Sequence, residues 1–203
     1  MRGFDEAERE RIRGELVETG HELLLRYGPE KTNVADITEP VGIAKSTFYR
    51  FFDSKAELYL EIYRREVTEF TEEARAELST VDTAREGLEA LFRSYAEWLE
   101  DNAFVQRMVV QSDYREFYQD VPDETMAALR REGVVEFESI FETLRDRGDG
   151  LREDAGAMEI LGLMSVIGLL VIHREEFEEY DPEYYERIRD LLVETLARGL
   201  VAD

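Results

Sequence analysis

Four side chains in the stretch 45–52, KSTFYRFF, can hydrogen-bond to a polyanion and to the edges of its bases. Lys45 supplies a compact charge with three donors, Ser46 a hydroxyl, Tyr49 a phenol and Arg50 a planar guanidinium with five donors. On a helix, at about 100° per residue, these four fall on one face, and Thr47, Phe48, Phe51 and Phe52 fall on the other. Acids are absent from residues 40–52. Elsewhere they are plentiful: 48 Asp and Glu stand against 25 Lys and Arg in 203 residues, a net charge of −23. A carboxylate on this face would repel phosphates, so the clearance of acids from one polar, aromatic segment points to a polyanionic partner.

The flanking sequence supplies the elements that must hold this face. A first helix is expected over 5–27, with Ile12, Leu16, Leu23 and Tyr27 inward and Gly28-Pro29 as its stop. Asn33 can cap a short helix over 34–41, which Gly42 ends. Residues 45–52 form the third. Phe48 and Phe52, spaced i, i+4, can then pack on Ile37 and Val41, with Ile43 in the turn. Two short helices joined by a tight glycine-containing turn make a helix-turn-helix, whose second helix suits the major groove of DNA. Ser54 and Glu57 have capping-box spacing and open a fourth helix reaching about residue 78. Further helices are expected over 83–101, 104–118, 123–147, 153–177 and 182–200. The chain therefore reads as all-α, with about nine helices. Charge divides it too: residues 1–52 hold 8 basic and 10 acidic residues, and 53–203 hold 17 and 38. A nearly neutral head on a strongly acidic body implies different partners for the two parts.

The segment 32–55, TNVADITEPVGIAKSTFYRFFDSK, with the long helix ahead of it, resembles the DNA-binding domain of the tetracycline-repressor (TetR) family. Ile37, Gly42-Ile43, Thr47-Phe48-Tyr49, Phe52, Lys55 and Leu58 stand at the family's spacing, and the likeness covers roughly residues 8–62. It implies a helix-turn-helix DNA-binding domain over 1–53 and a helical ligand-binding and dimerisation domain over 54–203. It also implies DNA contacts at Thr32, Ala35, Lys45, Ser46, Thr47, Tyr49, Arg50 and Lys55. Lys45, Ser46 and Ala35 would reach base edges, Thr47 and Tyr49 phosphates, and Lys55 a phosphate at a helix N-terminus. Three residues depart from the pattern: Ala44 replaces a side-chain cap, Pro40 is unusual in the second helix, and Phe51 fills a position often held by His or Tyr.

For the body the resemblance implies a homodimer, since two recognition helices must meet half-sites of a palindromic operator in double-stranded DNA roughly 34 Å apart. The run 156–172, GAMEILGLMSVIGLLVI, carries small residues among bulky ones, and Gly162, Ser165, Gly168, Leu169 and Ile172 are its candidate dimer contacts. A small-molecule effector, largely apolar, would sit among Tyr95, Trp98, Leu99, Phe104, Met108, Tyr114, Phe117, Phe137 and Phe141, with Phe92 nearby. Arg107, the sole charge between Asn102 and Ser112, is available to an anionic ligand group or to solvent. Two rivals stand beside this ligand-responsive repressor: a constitutive DNA-binding dimer, and a small all-helical enzyme.

Composition narrows the rest. There is no cysteine, and His21 and His173 are the only histidines, so neither a metal site nor a cofactor is expected. Gly162, Ser165 and Gly168 lack the spacing of a nucleophile elbow, and no glycine-rich phosphate loop is present, so no enzyme activity is expected. The longest apolar run, 160–172, is shorter than the ~20 residues that span a bilayer, and the charged N-terminus lacks a signal-peptide core; a cytoplasmic location is expected. Acid excess with three lysines (Lys31, Lys45, Lys55) resembles proteins of halophiles.

Overall fold

The computed structural model describes residues 5–107, 121–147 and 150–202, and every regular element among them is a helix. In chain order these are α1 (Glu6–Tyr27), α2 (Val34–Val41), α3 (Lys45–Phe48), α4 (Lys55–Leu78), α5 (Ala84–Asp101), α6 (Ala103–Val105), α7 (Asp123–Arg145), α8 (Ala157–Ile172), α9 (Arg174–Glu178) and α10 (Tyr184–Leu200). The all-α expectation holds, including a helix-turn-helix at the N-terminus and helices thereafter. The chain forms two compact units, one of Met1–Glu66 with Arg107–Asp123 and the other of Val67–Gln106 with Glu124–Asp203.

In the first unit the ends of the helices follow the expected signals. Asp5 accepts from the Glu8 amide at 2.8 Å and caps α1, and the Gly28 amide closes it onto the Leu24 carbonyl. Gly42, at φ +75°, is the left-handed cap of α2, a conformation that costs glycine little. Ser54 accepts from the Glu57 amide at 3.1 Å, but Glu57 answers the amide of Asp53 rather than that of Ser54. The core joins Ile12, Leu16 and Leu24 of α1, Ile37 of α2, Phe48 and Phe52, and Leu58, Tyr59 and Ile62 of α4. Phe48 and Phe52 are 0% and 1% exposed, which at about 1.5–3 kcal/mol for each buried ring anchors the turn between α2 and α4. Gly20 lets α4 approach α1, since a methyl there would stand 2.8 Å from Leu58 Cδ2. Tyr27, read from the sequence as inward, is 47% exposed; Leu24 takes the inward position instead.

The third helix is shorter than expected. It ends at Phe48, and residues 49–51 continue as turns in which the Arg50 and Phe51 amides bond three residues back, to Thr47 and Phe48. Without a side-chain cap at Ala44 a longer helix has little to start it, and three-residue bonding tightens the exit.

In the second unit α5 lies against α8 and α10. Leu88, Leu91, Phe92, Ala96 and Leu99 of α5 are buried with Ile160, Met164, Ile167 and Val171 of α8 and Tyr185, Val193 and Ala197 of α10. The expected helix 153–177 is two helices. Arg152 grips Asp154 with two bonds at 2.8 and 2.7 Å, which lowers the Asp154 carboxyl pKa, and α8 begins only after Gly156. The chain then breaks at His173, where the apolar run gives way to REEFEE; Glu175 and Glu176 fall in the first turn of α9, where the helix dipole favours them. Of the expected helix 104–118, residues 108–118 lie outside the described residues. Gly87 seats α5, because a methyl there would lie 2.5 Å from Leu144 Cδ2 and 3.2 Å from Leu78 Cδ2. Because Leu144 is only 1% exposed and must shift within the packed core to admit the methyl, Gly87→Ala is expected to cost about 1–3 kcal/mol in a urea melt despite alanine's better helix propensity.

Candidate nucleic-acid interface

The helix-turn-helix presents a defined set of side chains to solvent. Lys45 and Ser46, in the first turn of α3, are exposed, as are Arg50 and, on α2, Ala35. Tyr49 is 49% exposed, and its ring meets the buried Phe48 ring edge-on at 5.4 Å. Thr47 is half-buried. Five of the eight residues expected at DNA are thus exposed, four of them within residues 45–50 and Ala35 on α2, and the buried rings of Phe48 and Phe52 stand 5.6 Å apart.

Thr32 departs from that set. It is 1% exposed, and its hydroxyl donates to the Gly28 carbonyl at 2.8 Å and the Leu23 carbonyl at 3.3 Å. Its side chain staples the α1–α2 loop; a hydroxyl suits it to satisfying the carbonyls at the end of α1. Lys55 is also engaged with this loop. Its ammonium donates to the Pro29 carbonyl at 2.5 Å and the Thr32 carbonyl at 2.9 Å, and lies 5.7 Å over the Tyr59 ring. Burial pushes the Tyr59 phenol pKa up, opposed by the Thr32 hydroxyl. Arg107, read from the sequence as available to an anion or to solvent, donates to the Leu25 carbonyl in the last turn of α1, with its guanidinium beside Gly28.

The expected effector-lining residues fall in several places. Tyr95 and Trp98 are half-buried 6.1 Å apart, and Phe70 of α4 completes the cluster, stacked on Trp98 at 4.9 Å and edge-on to Tyr95 at 5.9 Å. Leu99, Phe104 and Phe137 are buried, and Phe141 is half-buried under Arg145. Met108, Tyr114 and Phe117 lie outside the described residues. A surface cavity of about 330 Å³ between α5 and α10 is lined by Arg85, Glu89, Arg93, Asp190, Leu191, Val193 and Glu194, none of them an expected lining residue.

Along α8 the small residues divide. Gly162, Ser165 and Leu169 are exposed, with Met158 and Val166 on the same face, and Leu169 is 57% exposed. Ile172 is half-buried. Gly168 faces inward instead, where a methyl would stand 3.5 Å from Leu99 Cδ1 and from the Tyr95 hydroxyl. The period of 3.6 puts Gly168 nearly opposite Val166 across the helix and on the flank of the face that carries Ser165.

Sequence reasoning passes over several structural residues. Phe70 shares an inward stripe with Ala74 and Leu78, a signal that was legible. Arg13, Glu61 and Glu100 gave none, being charged residues among many. Among the described residues, no group of three His, Asp or Glu is arranged to hold a metal ion, and no helix is long and apolar enough to cross a membrane.

Comparison with known proteins bears on the same segment. Residues 16–62 match the sequence model of bacterial regulatory proteins of the tetR family. The chain is 25% identical over 158 residues to the HTH-type transcriptional activator FasR of Mycolicibacterium smegmatis, covering 78% of this chain and 69% of that one. In structure it is similar to a transcriptional regulator of the TetR/AcrR family from Thermobifida fusca, with a TM-score of 0.56 at 18% identity over 94% of this chain and 98% of that one. It is also similar to the transcriptional regulator FadR from Bacillus subtilis in complex with stearoyl-CoA, with a TM-score of 0.59 at 17% identity over 92% and 98%. At these identities the structural likeness is one of fold.

Proposed function

The chain belongs to the tetR family of bacterial regulatory proteins, and from that premise we propose that it is a ligand-responsive, sequence-specific DNA-binding regulator that acts as a homodimer on a palindromic operator. DNA reading is assigned to residues 1–53 and effector binding and pairing to 54–203. The observation that carries the reading is the set of exposed residues Lys45, Ser46, Tyr49 and Arg50, in a segment without acids and on an apolar anchor, in a protein of net charge −23. Lys45 and Ser46 stand where a recognition helix meets base edges, and Tyr49 and Thr47 where it meets phosphates. The exposed face of Met158, Gly162, Ser165, Val166 and Leu169 on α8 supports pairing, since residues 160–174 carry no acid to repel a second copy.

The effector is proposed to be largely apolar, in keeping with the aromatic residues of the second unit and with the stearoyl-CoA complex of FadR from Bacillus subtilis. Its binding would shift the population of dimers away from the spacing that fits two half-sites, through α4, which is continuous from Lys55 to Leu78. Repression by occupancy of a promoter is the first reading. Activation is the second, favoured by the naming of FasR as an activator. Three lysines among so many acids support a halophilic setting.

Selection of sites from random duplex DNA, run in parallel at low and molar KCl, tests the central claim. Enrichment of a palindrome by a protein that sediments as a dimer is the expected result, and no enrichment by a folded dimer at either salt would end the reading. Transcription from a template carrying the selected site then separates repression from activation. A series of fatty acyl-CoA chain lengths is expected to raise the melting temperature and release the site. No shift with any member, and none across a broader panel of apolar ligands, would favour the constitutive dimer.

A further inference from the structure

The helix that carries Lys45 and Ser46 is four residues long, and four residues cannot hold a helix in place by themselves. The buried rings of Phe48, its last residue, and of Phe52 beyond it fix its underside. Its exit needs another constraint, because the carbonyls there continue into no further helix. Two arginines of α1 supply it. Arg9 Nη2 donates to the Arg50 carbonyl at 3.4 Å, with its guanidinium 5.6 Å from the Phe51 ring centre. Arg13 Nη1 donates to the Phe51 carbonyl at 3.4 Å, and its guanidinium lies 4.6 Å over the Phe52 ring. Arg13 Nη2 also stands 3.0 Å from Glu61 Oε2 on α4, and Arg65 lies 3.6 Å from the other oxygen of that carboxylate.

Resting on the DNA-binding reading above, we propose that Arg13 is a positioning residue for DNA recognition: one guanidinium ties the exit of α3 to both α1 and α4 and so sets the angle at which Tyr49 and Arg50 are presented. The chemistry favours arginine. A planar group with donors along several edges can serve a carbonyl and a carboxylate while its face covers a ring. Lysine keeps the charge and loses the plane. The Glu61 side chain is 19% exposed and that of Arg13 31%, so the pair is shielded enough to hold its geometry. Phe51, which stands where the family often has His or Tyr, contributes its carbonyl to Arg13 and its ring to Arg9.

The test compares wild type, Arg13→Ala, Arg13→Lys and Glu61→Gln by affinity for the selected duplex and for a scrambled one across a salt series, and by amide hydrogen exchange without DNA. Arg13→Ala is expected to lower the selected-to-scrambled ratio roughly tenfold, the size of one mismatched base pair. The salt slope for the scrambled duplex should stay unchanged, because no phosphate contact is lost. Exchange at residues 49–52 should quicken while that at Leu16 and Leu24 stays slow. Arg13→Lys and Glu61→Gln should fall between, and they carry the test if Arg13→Ala does not fold. An unchanged ratio with unchanged exchange overturns the proposal, as does a salt slope reduced by about one, which would make Arg13 a phosphate contact itself. If the wild type selects no DNA, the functional reading fails first, and exchange still decides whether the clamp exists: unchanged protection at 49–52 in Arg13→Ala refutes it.

Discussion

Glu100→Ala is expected to lower the stability of the protein by about 3 kcal/mol or more, the usual cost of removing one partner from a buried charged pair. Glu100, near the end of α5, has a side chain 10% exposed. It accepts from the Tyr185 hydroxyl at 2.5 Å and receives Arg189 Nη1 on both oxygens at 3.1 Å. Arg174 Nη1 stands 4.0 Å away. This one carboxylate therefore joins α5 to α9 and α10. Truncation leaves the Tyr185 hydroxyl, on a residue 0% exposed, without its acceptor, and leaves Arg189, 15% exposed, with only the outer carboxylate of Asp190 at 3.1 Å. For a chain of this size the midpoint should fall by roughly 10 °C, at about 2–4 °C per kcal/mol. Calorimetry or a urea melt reads it directly. Glu100→Gln retains an acceptor and should cost less; a loss below about 1 kcal/mol for Glu100→Ala would place the network among surface pairs.

The same network has an alkaline signature. Burial first, then the hydrogen bond to Glu100 and its charge, push the Tyr185 phenol pKa above its ordinary value. In the unfolded chain that phenol ionises near 10. Above that pH the unfolded state releases a proton that the folded state keeps, so stability falls as pH rises. Tyr185→Phe should flatten that fall without abolishing it, because Tyr59 is shifted the same way.

What could be read from the sequence and what could not follow the range of the interactions. The caps at Gly42 and Ser54, the bond from the Asn33 amide to the Asp36 carboxylate at 2.9 Å and the Phe48–Phe52 pair are set by neighbours within four residues, and their signals are local. The inward turn of Thr32 depends on carbonyls of Leu23 and Gly28, still close in sequence, yet the family pattern outweighed that signal. Arg13 reaches Phe51 and Glu61, and Glu100 reaches residues more than eighty positions away. In a chain with 48 acids nothing marks those two carboxylates beforehand, because almost every helix offers Glu at i, i+3 or i+4. The break at His173 was hidden for another reason. Residues on both sides favour helix, and only the junction of an apolar run with an acidic one distinguishes the site.

Lys45→Ala and Tyr49→Ala are each expected to weaken binding of the selected duplex by about 1–3 kcal/mol, roughly ten- to a hundredfold, with little change in fold because both side chains are largely exposed. The residues sit at i, i+4, so the double variant should lose less than the sum if they share a contact. The two losses are expected to differ in kind. Lys45 at a base edge should reduce discrimination between selected and scrambled duplexes, whereas Tyr49 at a phosphate should weaken both alike. Tyr49→Phe separates the hydroxyl from the ring, whose edge contact with Phe48 it preserves. Salt decides how much rests on each. Phosphate contacts lose orders of magnitude between 50 and 200 mM salt, and at molar salt charges are screened within roughly 3 Å. A protein working there must draw its affinity from direct base contacts and shape. The penalty for Lys45→Ala on the selected duplex, relative to wild type, should therefore persist in molar KCl. A penalty that vanishes as salt rises would make Lys45 a phosphate contact and shift base reading to Ser46 and Ala35.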